Sequence, residues 1–94
     1  APQGYIGALM KTGEAKEAWD LFYQLPNSLT SAKRSMCYIH LDAYDSAFHY
    51  LDKAFLEKDN YMIFLKVDPH FKLLNDDPRY LALIKKMNFP DDKK

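Results

Sequence analysis

The chain has 94 residues and a mass near 11.0 kDa, enough for one small domain. Thirteen Lys and Arg balance thirteen Asp and Glu, so no charge excess points to nucleic acid or an anionic membrane. Cys37 is the single cysteine, which excludes an internal disulfide and a cysteine-rich zinc site. No apolar run approaches the roughly 18–20 residues that span a bilayer, and the start does not read as a secretory signal.

Taken in chain order, residues 2–11 carry Tyr5, Ile6, Leu9 and Met10, a short helical stripe. Residues 14–25 place Ala15, Ala18, Trp19, Phe22 and Leu25 on one helix face. Gly13 precedes this helix, and Pro26 ends it because a residue before proline avoids the helical region. Residues 29–41 form a third segment with Ala32, Met36, Cys37 and Ile39, capped by Ser28 or Thr30. Residues 43–57 align Tyr44, Ala47, Phe48, Leu51, Ala54 and Phe55, with Asp42 as the expected cap. Residues 60–66 make a short helix before Pro69, and 67–75 an irregular loop with one helical turn. Asp77 followed by Pro78 starts a last helix, 77–87, with Tyr80, Leu83, Ile84 and Met87 on its apolar face. Residues 91–94 read as a charged tail. Only seven residues are β-branched, and Gly4, Gly7 and Gly13 are the only glycines. An all-helical domain follows, with no room for a sheet or for a phosphate-cradling glycine loop after the first helix.

A repeat emerges at an offset of 29. Gly13, Ala15, Ala18, Phe22 and Leu25 lie over Asp42, Tyr44, Ala47, Leu51 and Ala54, and Leu9 lies over Tyr38. Small Ala18 and Ala47 let helices approach, and the large residue four positions later fills the space above. This pattern resembles the tetratricopeptide repeat. The closing stretch, from Ala54-Phe55 through Asp68-Pro69 and Asp77-Pro78 to Asn88-Phe89, is similar to the end of bacterial regulatory proteins of that family.

The resemblance implies three stacked antiparallel hairpins in a right-handed superhelix, at about 2–26, 28–58 and 60–88, within one domain of residues 1–90. The last hairpin is degenerate and caps the stack. It further implies a protein or peptide partner held in a concave groove, with Gln3, Met10, Lys11, Lys33, Met36 and His40 among the residues facing it. The plainer reading packs Met10, Met36 and Ile39 between hairpins. The asparagine that accompanies the carboxylate-clamping lysines of chaperone-binding members is missing, so that ligand is not expected.

Cys37 and His40 share a helix face, but they lack the further ligands of a zinc site and the groups of a nucleophilic centre. No enzyme activity, metal or cofactor is expected. Trp19 reads as a core anchor between hairpins, and Asp76-Asp77 as helix capping. A competing resemblance, from Ala8-Leu9 to Leu25-Pro26, is to the pentatricopeptide repeat, which binds single-stranded RNA; neutral charge opposes it. The apolar face at Tyr5, Ile6, Leu9 and Met10 is expected to be covered by preceding residues or by self-association. The lone thiol is compatible with the cytoplasm.

Overall fold

A computed structural model describes residues 2–89. The expected tail at 91–94, including Asp91 and Asp92, lies outside the described residues. The elements run α1 (Pro2–Lys11), α2 (Ala15–Tyr23), α3 (Ser31–His40), α4 (Tyr44–Leu56), two 3-10 helices (Asn60–Phe64 and Pro69–Leu74) and α5 (Pro78–Met87). There is no strand among the described residues.

The 29-residue repeat is written into the backbone. Helices α1 and α3 are each ten residues long and begin 29 residues apart, at Pro2 and Ser31. Each ends in the same turn. Gly13 (φ 80°) and Asp42 (φ 60°) occupy the left-handed region at equivalent positions. Their neighbours close the turn alike: Glu14 N–H donates to the Leu9 carbonyl at 2.8 Å, and Ala43 N–H to the Tyr38 carbonyl at 2.9 Å. Asp42 therefore does not cap α4. Its backbone is committed to the left-handed turn, and the N-cap position falls to Ala43, which makes no side-chain cap bond. Asp tolerates positive φ better than most residues, which suits it to the place that Gly13 holds in the first copy.

The other helix starts follow local chemistry. The Thr30 hydroxyl accepts from Lys33 N–H and caps α3, and the Asp77 carboxylate accepts from Arg79 N–H and caps α5 ahead of Pro78. The segment expected as a helix over 60–66 and a loop over 67–75 is instead a pair of 3-10 helices. Asp59 caps the first by accepting from Tyr61 N–H, and Asp68 caps the second by accepting from His70 N–H. Asp68-Pro69 repeats the start chemistry of Asp77-Pro78, so the caps fix where the runs begin and not their 3-10 form.

Helix α1 packs on α2 and on α3, α3 packs on α4, and α4 meets α5. Two buried clusters result. The first joins Ile6, Ala18, Phe22, Cys37 and Leu41. The larger one gathers Met36, Ile39, Ala47, Leu51, Phe71, Leu74 and Leu83 among others. Ala18 and Ala47 are fully buried, as close helix approach requires. Both 3-10 helices contact α3, and their Met62, Phe71 and Leu74 enter the larger cluster. Each 3-10 run is too short to hold itself, and burial of these side chains is what fixes it.

Candidate functional site

The residues expected along a groove fall into different environments. Gln3 and Met36 are buried against each other where α1 meets α3, with Gln3 Nε2 directed at Met36 Sδ at 3.7 Å. Neither presents appreciable surface to an outside ligand. Met10 is partly buried against the first cluster. Lys11 is exposed at the end of α1. Lys33 and His40, on α3, are engaged by the chain's own third segment. The Lys33 ammonium lies over the Tyr61 ring at 5.5 Å, and His40 Nε2 meets His70 Nδ1 at 2.6 Å. The α3 part of the expected row is thus covered from inside the molecule by residues of the two 3-10 helices.

The His40–His70 contact joins positions 30 residues apart, and helix spacing alone does not reveal it. One imidazole N–H donates to the lone pair of the other ring, so the two rings cannot both carry a second proton while the bond stands. Gly7 of α1 lies directly under His40, and a Cβ there would come within 2.7 Å of Nδ1. Burial holds the His40 pKa below its ordinary value, and the neighbouring His70 and Lys11 push it the same way; Asp42 opposes them. No group of three or more His, Cys, Asp or Glu positioned to hold a metal occurs among the described residues. Cys37 is buried, and the loss of hydration pushes its thiol up to about 11. A thiol in that state is a packing group with little nucleophilic character at neutral pH.

The start of α3 is a second polar focus. The Asp59 carboxylate accepts from Ala32 N–H and from Tyr61 N–H, each at 3.0 Å. Ser31 Oγ donates to Glu57 Oε1 at 2.8 Å. Asp59 meets an orphan N–H of the α3 N-terminus, where negative charge is favourable, and Glu57 takes the Ser31 hydroxyl beside it. The arrangement is an internal clamp between α3 and the turn after α4.

An aromatic row runs between the two repeat copies. Trp19 and Phe22 of α2 reach Tyr38 of α3, with ring centroids 6.4 and 4.7 Å away. Tyr38 stacks in turn on Tyr50 of α4 at 5.4 Å and 21°. The Arg34 guanidinium lies over the Phe22 ring at 5.8 Å. Trp19 is therefore a partly buried contact between the copies, as the repeat register implies.

The first copy has a corresponding surface that nothing among the described residues fills. Tyr5, Leu9, Glu17, Asp20, Leu21 and Gln24 border an open concavity of about 220 Å³ on the α1–α2 pair. Tyr5 is 61% exposed, while Leu9 and Leu21 are half-buried. No helix among the described residues is long and apolar enough to cross a membrane. Compared with known proteins, the chain matches no family model, no curated protein and no solved structure.

Proposed function

We propose that the chain is a non-catalytic interaction module of tetratricopeptide-like hairpins, and that it docks a helix or peptide of another protein. The observation that supports this most directly is the repeated unit: two ten-residue helices at an offset of 29, each closed by the same left-handed turn. Stacked helical units of this kind build extended surfaces suited to other chains. The titratable clusters support the same reading. The histidine pair joins α3 to the second 3-10 helix, the Asp59 clamp joins α3 to the turn after α4, and the thiol is buried. In this reading the module sits in the cytoplasm, at the end of a longer regulatory chain, as the resemblance of its closing segment suggests.

The test is a binding screen on the folded chain against a helical-peptide library and, separately, single-stranded RNA at low salt. Saturable peptide binding that survives moderate salt supports the module. Binding of RNA alone, with an affinity that falls steeply as salt rises, would replace it with the pentatricopeptide reading.

A further inference from the structure

Positions 29 apart give the molecule two related surfaces, one in contact with side chains of α2 and one open. With the 29-residue offset, Tyr5, Leu9 and Leu21 of the first copy correspond to Arg34, Tyr38 and Tyr50 of the second. In the second copy this surface receives α2. Phe22 sits on Tyr38 and beneath Arg34, Trp19 reaches Tyr38, and Tyr50 backs the stack. In the first copy the equivalent residues border the open concavity of about 220 Å³. The rim differs in charge. Where the second copy has Ser46, His49 and Lys53, the first has Glu17, Asp20 and Gln24.

We infer that the α1–α2 concavity accepts an amphipathic helix of a partner protein, one that presents two aromatic residues three positions apart and basic residues beside them. The aromatic pair follows from the occupant of the equivalent site, which presents Trp19 and Phe22. Leu9 and Leu21 offer an apolar floor where Tyr38 and Tyr50 stand in the second copy, and exposed Tyr5 gives a rim on which a ring or guanidinium can lie, as Arg34 lies over Phe22. The basic flank follows from the two carboxylates. Asp20 is already paired with Lys16 at 2.9 Å, an exposed contact that a partner cation can exchange at little cost. This rests on the interaction-module reading and narrows it to one surface and one ligand chemistry.

The probe is a synthetic peptide with the sequence of residues 14–26, carrying E17K and D20K so that it is basic. It is labelled and titrated into the intact chain, with anisotropy giving affinity and amide NMR shifts giving location. The expected result is saturable binding with shifts centred on Tyr5, Leu9, Leu21 and Gln24. Replacing the Trp and Phe of the peptide by Ala should weaken it at least roughly ten-fold, as for a buried aromatic anchor. The chain variants Y5A and E17K, both at exposed positions, should each weaken it while leaving the circular dichroism spectrum unchanged, with a small loss of melting temperature for E17K, which reverses a charge in the first turn of α2. Three outcomes overturn the inference. One is no binding at about 1 mM peptide, the weak limit of specific recognition. Another is binding that shifts residues elsewhere, which leaves the module reading intact and removes this site. The third is self-association through these same residues that the peptide does not compete away, which makes a second copy the occupant.

Discussion

Two glycines three residues apart in α1 should respond oppositely to the same substitution. Gly4 and Gly7 both lie within Pro2–Lys11. Replacing a helical Gly by Ala gains about 0.5–1 kcal/mol by restricting the unfolded chain. At Gly4 a Cβ meets nothing within 4 Å, so Gly4→Ala should realise that gain. At Gly7 the new Cβ would stand 2.7 Å from His40 Nδ1, 3.2 Å from Cγ and 3.3 Å from Cε1. The imidazole has nowhere easy to go, because His70 holds its other side at 2.6 Å. Moving it costs about 1–3 kcal/mol of overpacking. It also loses a hydrogen bond of about 1 kcal/mol net. Gly7→Ala should therefore destabilise by about 1–3 kcal/mol after its helix gain is subtracted. In a domain of this size that lowers the melting temperature by about 4–8 °C per kcal/mol. Urea unfolding followed by far-ultraviolet circular dichroism measures both. The pairing with His40 is checked by a cycle: in a His40→Ala background, Gly7→Ala should become neutral or stabilising. Stabilisation by Gly7→Ala equal to that of Gly4→Ala in the native background would refute the close α1–α3 approach.

His40 should also make stability depend on pH. His40 has a depressed folded pKa, so its contribution is complete above the ordinary value near 6.5 and is lost as pH falls, because the unfolded chain takes up the proton more readily. Urea midpoints should drop on acidification from about pH 7 to 5. The drop should shrink in His40→Gln, and a drop of undiminished size would remove His40 as its cause. Asp59→Ala strips acceptors from Ala32 N–H and Tyr61 N–H and should cost about 1–3 kcal/mol in the same unfolding assay, whereas an exposed Asp52→Ala should change it little. Gln3 is 6% exposed, and its Oε1 is buried with no hydrogen-bond partner among the described residues. Gln3→Leu should thus raise stability by about 1 kcal/mol, and a loss on thermal melting would show that the amide is satisfied after all.

What the sequence by itself determined is the local order of the chain. Periodic apolar residues place α1 to α5 within a residue or two, because a helix must turn one stripe inward. Asp77-Pro78 marks the start of α5, since an acceptor and a preset φ act within a few residues. The 29-residue repeat is also legible, because the same small-then-large spacing occurs at Ala18–Phe22 and Ala47–Leu51. The cap of α4 was misread for a local reason. Asp serves equally as an N-cap and in a left-handed turn, and only the equivalence with Gly13 settles which. Tertiary structure decided the rest. Residues 60–74 carry too little periodicity to declare a 3-10 pair, and their form is set by packing Met62, Phe71 and Leu74 on α3. The burial of Gln3 against Met36 and the meeting of His40 with His70 depend on distances between elements remote in sequence, which no local propensity encodes. The open concavity beside Tyr5 is likewise a relation between two helices, visible only once α2 is seen filling its counterpart in the second copy.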